Sequence, residues 1–220
     1  MKNNQLLRNS LLLICSLFVF SQCSFSQTIE KWYVNMPNVL NPTLSRQNRL
    51  ELLEYYKAGQ GDSVTNRFEH KSFLLNLDTL NQRILVQNTP TSTFEMKMLT
   101  LGDSTKAVGI IRTVCAPVCQ STIELYDTAW NLIPEQFTLP KAIEWLDVPG
   151  IPTDKLDVQW AKSLMEVGFI TLRFSDKKQE IVAKNNTLDF LSEDDKKVIA
   201  PYVTNKPILF ELKGRTWQRK

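Results

Sequence analysis

Histidine occurs once in these 220 residues, at His70, which excludes any site that needs two imidazoles. A serine triad built on His70 stays open, but no Gly-x-Ser-x-Gly elbow is present to display its nucleophile. An exposed, solvated His70 is the plainer reading. Glycine is also scarce, with seven residues, and Gly59-Gln60-Gly61 is the one close pair. It lacks a third glycine and no strand precedes it, so it is not a phosphate cradle. No P-loop and no calcium-binding loop pattern occur. These absences leave no catalytic residue, metal site or cofactor that the chain identifies by motif.

Acidic residues are missing from the first 29 positions, whereas Lys2 and Arg8 open the chain. Leu11 to Phe20 is an apolar run broken only by Cys15 and Ser16, and it is too short to span a bilayer. A basic start, a run of this length and then small residues is the layout of a cleavable secretory signal. Ser24 and Ser26 occupy the −3 and −1 positions of a cut before Gln27, so residues 1–26 are expected to be removed. Two other readings stay open. The run could act as an uncleaved anchor, or Cys23 could be lipidated, although Gln22 stands where a lipoprotein signal wants a small residue.

The signal takes two of the 26 basic residues and none of the 23 acidic ones, which leaves residues 27–220 close to neutral. With no Lys/Arg run, this is not a nucleic-acid binder by charge. No later segment is long and apolar enough for a membrane span. The expected location is the periplasm or cell surface.

Hydrophobic rhythm divides the remainder. Thr28 to Val34 predicts a short helix. Asn41-Pro42 reads as the cap of a second helix running to about Ala58, with Leu50, Leu53 and Tyr56 on its stripe and Gly59 as its stop. Strand signals follow: Phe73, Leu75 and Leu77 on one face, then Ile84 to Val86. Phe94, Met96 and Met98 alternate with Thr93, Glu95 and Lys97, and Val108 to Cys115 and Gln120 to Asp127 complete the series. Short connections imply an antiparallel meander. Beyond Pro140 the chain predicts a short helix to Leu146 and another over Asp154 to Val167. A hairpin of Phe169–Phe174 with Gln179–Ala183 follows, then a helix capped by Ser192 and a last strand over Pro207–Leu212. The expected class is α+β: residues 27–139 as helix plus meander, and residues 140–220 as a smaller unit of hairpin, helix and strand packed on the first.

Beyond the signal only Cys115 and Cys119 remain. An even, close pair in an exported chain predicts a disulfide. Opposed residues in a hairpin lie about 4.5 Å apart at Cα, within the disulfide range of roughly 4.4 to 6.8 Å. Closing this small loop contributes about 2 kcal/mol. A redox-active pair is the sharper alternative, but it normally has two-residue spacing at a helix start.

Paired carboxylates could serve a glycosidase. Glu144 with Asp147, or Asp154 with Asp157, stand one helical turn apart, and Trp130, Trp145 and Trp160 could stack sugars. Solvated helix faces and core packing are the plainer readings.

Four aspartates precede Ser or Thr and then a small or aliphatic residue: Asp62-Ser63-Val64, Asp78-Thr79-Leu80, Asp103-Ser104-Thr105 and Asp127-Thr128-Ala129. This resembles the acceptor for general O-glycosylation in Bacteroidetes, with Ser63, Thr79, Ser104 and Thr128 as acceptors. Turn chemistry explains the tripeptide equally, since all four fall at expected turns.

Further stretches resemble a family of uncharacterised exported proteins from Bacteroidales: Asn48-Arg49-Leu50, Val64 to Arg67, Ser92 to Lys97, Arg112 to Cys119 and Ser192 to Asp195, with Trp217 near the end. The Thr-Val-Cys-x-Pro-x-Cys hairpin is the most specific piece. The resemblance implies export and an envelope setting and supplies no catalytic residue. The leading expectation is a non-enzymatic binding or accessory module that meets an envelope protein or a glycan. The alternatives are a carboxylate-dependent hydrolase acting on glycans and a thiol-disulfide protein.

Overall fold

The computed structural model describes residues 28–134, 137–154, 156–176 and 178–220. The leader, the cut before Gln27 and Cys23 lie outside the described residues.

Helix α1 spans Ile29–Asn35 and buries Ile29, Trp32, Tyr33 and Val34. Helix α2 spans Arg46–Lys57 and starts later than Asn41-Pro42 predicts. Ser45 is the cap: its hydroxyl accepts from the Asn48 amide at 3.1 Å, and the Asn48 side chain accepts from the Ser45 amide at 3.2 Å. Asn41 is instead drawn inward, where its amide and that of Asn88 donate to each other at 3.2 and 3.1 Å. The buried stripe is also rotated, comprising Arg49, Leu52 and Leu53, and Tyr56 is exposed. Gly59 ends the helix as expected. It adopts φ +66°, and the Gln60 amide bonds back to the Tyr55 carbonyl at 2.9 Å.

Seven strands follow: β1 (Ser63–Thr65), β2 (Lys71–Asp78), β3 (Arg83–Thr89), β4 (Ser92–Thr100), β5 (Lys106–Cys115), β6 (Cys119–Tyr126) and β7 (Leu132–Ile133). They pair antiparallel in sequence order, an uninterrupted meander. Phe73, Leu75 and Leu77 do not share a core face. A register shift between Leu74 and Asn76 turns the strand over, so Leu74 and Leu77 face the helices and Leu75 is exposed.

The later residues form α3 (Val158–Ser163), β8 (Ile170–Phe174), β9 (Glu180–Asn185), α4 (Glu193–Ile199), β10 (Ile208–Lys213) and β11 (Thr216–Arg219), with short 3-10 turns between. Helix α3 is shorter than Asp154–Val167 because Asp157 is the cap, accepting from the Gln159 amide at 2.8 Å. Ser192 caps α4 as expected, accepting from the Asp195 amide at 3.1 Å, and acidic residues fill its first turn. Strand β11 was not expected; it follows a two-residue turn in which Gly214 has φ +66°. The four strands form a second antiparallel sheet in the order β11-β10-β9-β8, and the class is α+β.

The meander is thus covered on both faces. Ile84, Val86, Phe94, Met96, Val108 and Ile110 pack against α1 and α2. The opposite face contributes Leu99, Ala107, Ile111, Ile123 and Leu125 to a second core with Trp145, Phe174, Ile181 and Phe210. Gly109 lets the sheets approach: a Cβ there would lie 2.6 Å from the Phe174 ring. That ring is fully buried, which contributes roughly 1.5–3 kcal/mol. No helix among the described residues is long and apolar enough to cross a membrane.

Candidate functional site

A meander sends alternate turns to the same end. The β2–β3, β4–β5 and β6–β7 turns therefore share one end of the sheet, and the disulfide hairpin β5–β6 occupies the other. Three of the four Asp-Ser/Thr tripeptides lie at the first end. Thr79, Ser104 and Thr128 are exposed, whereas Ser63 heads strand β1 and is half-buried.

The aspartates build these turns. Asp78 accepts from the Asn81 backbone and side-chain amides at 2.9 and 2.7 Å. Asp103 accepts from the Thr105 amide at 3.0 Å and from Arg215 at 2.8 Å. Asp127 accepts from the Ala129 and Asn131 amides at 2.8 and 2.9 Å. These bonds favour the charged carboxylates: the Asn81 amides hold Asp78 below the ordinary range, Arg215 does so for Asp103, and Asn131 for Asp127. A carboxyl whose folded pKa lies below its unfolded value, about 3.9, contributes stability above that value and loses it as pH falls through the folded one. Carboxyl-resolved NMR titration should therefore place all three below a peptide aspartate, and Asp127→Ala should remove part of the acid sensitivity of unfolding. An ordinary titration for all three would contradict the turn bonding.

Between these turns, α1 and the β8–β9 turn lies a half-open groove of ≈ 570 Å³. Trp32, Leu80 and Met98 supply its apolar wall, and Lys97, Lys106 and Lys178 its cations. Leu80 is 93% exposed at the tip of its turn. Trp32 is only 7% exposed and meets Trp130 edge-on at 5.3 Å; its indole N–H has no hydrogen-bond partner among the described residues. Gln82 and Trp130, beside the groove, hold φ +52° and +66°, values uncommon outside glycine. The Ile29 amide donates to the Gln82 side chain at 2.8 Å and ties α1 to this end.

Lys97 is also part of a buried anchor. On the second-sheet face, Arg83 Nε meets Glu95 Oε1 at 2.5 Å, and its Nη1 meets Asp176 at 2.6 Å. Glu95 Oε2 accepts from the Phe174 backbone amide at 3.2 Å. Lys97 Nζ donates to the Ser175 and Lys178 carbonyls at 2.5 and 2.8 Å. Burial pushes the Glu95 carboxyl up against the pull of Arg83, and burial pulls the Lys97 ammonium down. Sequence alternation alone marks Glu95 and Lys97 as a polar strand face; it carries no sign that a second sheet covers them. Lys106 and Lys178 remain exposed. Lys106 Nζ donates to Thr100 Oγ1 at 2.8 Å and has no carboxylate partner among the described residues, whereas Lys178 lies 3.7 Å from Glu180.

The other sequence candidates do not converge. Cys115 and Cys119 form a disulfide, with Cα atoms 3.9 Å apart, closer than the 4.5 Å expected. The strands pair these two residues directly across the β5–β6 turn. His70 is exposed in the turn before β2. Asp157 caps α3 and Asp154 is exposed; Glu144 pairs with Arg219, and Asp147 is exposed. Trp145 is buried with its indole donating to the Lys206 carbonyl at 2.8 Å, Trp160 packs on the same core, and Trp130 belongs to the helix side. The three do not form one sugar-stacking face. Among the described residues, no group of three His, Cys, Asp or Glu could hold a metal ion.

Residues 21–217 match the family described as "Protein of unknown function (DUF3256)". The chain belongs to this family. A solved structure of a domain of an uncharacterized protein from Porphyromonas gingivalis W83 is similar in fold, with a TM-score of 0.72 at 18% identity. The similarity covers 87% of this chain and 97% of that one. No curated protein matches. The family fixes no activity, and the resemblance to Bacteroidales proteins agrees with the source of the structural relative.

Proposed function

We propose that the protein is an exported envelope module that binds a partner at the turn end of its meander and performs no chemistry on it. The observation that carries this reading is the half-open groove, apolar on its wall and cationic at its rim. The buried ionic groups beside it hold one sheet on the other and are already engaged with each other and with backbone groups. Export rests on the leader pattern and agrees with a disulfide at Cys115–Cys119. We also propose O-glycans on the exposed Thr79, Ser104 and Thr128. Thr128 lines the groove and Thr79 adjoins Leu80, so glycans there would flank its mouth.

Cell fractionation with intact mass analysis of the native protein tests the export half. The expected product is periplasmic or surface-exposed, begins at Gln27 and carries the disulfide, with hexose-containing mass on the turn sites. Retention of Met1 with both later cysteines reduced would overturn it. The binding half is tested by a photoreactive side chain at position 80, with position 198 on α4 as control. Adducts from position 80 alone are expected in intact cells; adducts from neither position contradict a binding role.

A further inference from the structure

We infer that the groove takes an amphiphilic carboxylate, an apolar chain ending in a carboxyl group, with the chain against Trp32, Leu80 and Met98 and the carboxylate on Lys106 and Lys178. This rests on the binding role proposed above and names the ligand class. The volume, ≈ 570 Å³, falls within the range usual for small-ligand sites, roughly 300–1,000 Å³. Apolar side chains from α1, the β2–β3 turn and β4 form a stretch of the lining against which methylene groups find contacts, beside the polar Asn81, Gln82, Thr100, Thr128 and Gln179.

Charge selects the end group. Among the described residues, Lys106 on the rim has only the Thr100 hydroxyl as partner, and Lys178, 64% exposed, is loosely ion-paired with Glu180 at 3.7 Å. Both ammoniums can turn to an incoming anion. Of the acidic side chains nearby, Asp78 is engaged by Asn81 and Asp176 by Arg83, and Glu180 is held chiefly by Lys220 at 2.5 Å, with Lys178 farther away at 3.7 Å. Lys97 adds positive charge behind the wall while its hydrogen bonds hold the β8–β9 turn.

The test uses the mature, oxidised protein with sub-micellar dodecanoate, followed by calorimetry and by the Met98 methyl resonance. Saturable one-to-one binding with a shift at Met98 is expected. Shortening the probe to decanoate removes two methylenes and should weaken binding on the order of tenfold. Lys106→Gln with Lys178→Gln should weaken it about tenfold while leaving thermal unfolding unchanged, since both side chains are exposed. Dodecyltrimethylammonium should not bind. Equal binding of dodecanol, or affinity independent of chain length, would overturn the assignment. Binding of a Glu-rich peptide in place of dodecanoate would overturn it in favour of protein docking. If dodecanoate fails but position 80 still crosslinks in cells, the ligand class is wrong and the binding role survives; if both fail, both fall.

Discussion

Replacing Arg49 with methionine is expected to lower stability by about 3 kcal/mol, a large effect for one exchange on the helical side. The Arg49 side chain is fully buried inside α2. Its Nη1 donates to the Leu44 carbonyl at 2.7 Å, and its Nη2 to the Met36 and Val34 carbonyls at 2.5 and 3.1 Å. Those three carbonyls end α1 and shape the link into α2, where no regular ladder satisfies them. A methionine fills much of the volume but leaves three acceptors with no donor, each a desolvated group costing about 1–3 kcal/mol. Removing a buried cation offsets part of that cost, because burial already pulls the guanidinium's pKa down. Burial also raises the pKa of the neighbouring Tyr33, against the opposing pull of Arg49. Lysine can satisfy the carbonyls only with a smaller, differently directed head group, so Arg49→Lys should be intermediate. Urea midpoints measure all three proteins, and an unchanged midpoint for Arg49→Met would remove Arg49 as the peg of this layer.

Glu95→Ala is expected to destabilise by a comparable amount, about 3–5 kcal/mol, and to act on the other face. The carboxylate is buried between Arg83 and the Phe174 amide, and its loss leaves both without it. Among the described residues Arg83 then retains only Asp176, which is 66% exposed and correspondingly weak. The damage should be local in character. Strand β8 contacts the meander chiefly through β6, and its amides at Leu172 and Phe174 donate to Ser121 Oγ, at 2.9 Å, and to Glu95. Hydrogen exchange in Glu95→Ala should therefore accelerate at Phe174 and through β8–β9 while Ile84 and Met96 keep their protection. Uniform acceleration across both sheets would contradict this assignment. Replacing Arg83 and Glu95 together by apolar residues should be milder than Glu95→Ala, because no uncompensated charge remains buried.

These two residues mark where local pattern stopped informing. The α2 stop at Gly59, the Ser192 cap and the meander order rest on neighbours within a few positions, so propensity and spacing expose them. The α2 start does not: Ser45 and Asn41 are both good caps, and Asn41 is removed from that role by Asn88, 47 residues away. Similarly, Ala107 and Ile111 alternate with Val108 and Ile110, so β5 is apolar on both faces and reads as covered twice. The identity of the second cover, and the charges of Arg83, Glu95 and Lys97 beneath it, depend on β8, which lies far along the chain. The groove was hidden for the same reason. Lys106 stands at the start of β5 and Lys178 in a turn of the other sheet, and only the stacking of two sheets brings both to one groove. The turn bonds of Asp78, Asp103 and Asp127 to the following residues close within four or five residues, so local spacing exposes these tripeptides.

The manner in which β8 is sealed also governs how copies of this molecule meet. Ser121 and Glu95 occupy two of its outward amides, so a foreign strand cannot zip onto that rim of the smaller sheet. The opposite rim is β11, four residues long, flanked by Arg215 and ending in Arg219 and Lys220. Each of these cations is tied to a carboxylate, Arg215 to Asp103, Arg219 to Glu144 and Lys220 to Glu180, so the short rim is fenced by fixed ion pairs rather than offered as a bare ladder.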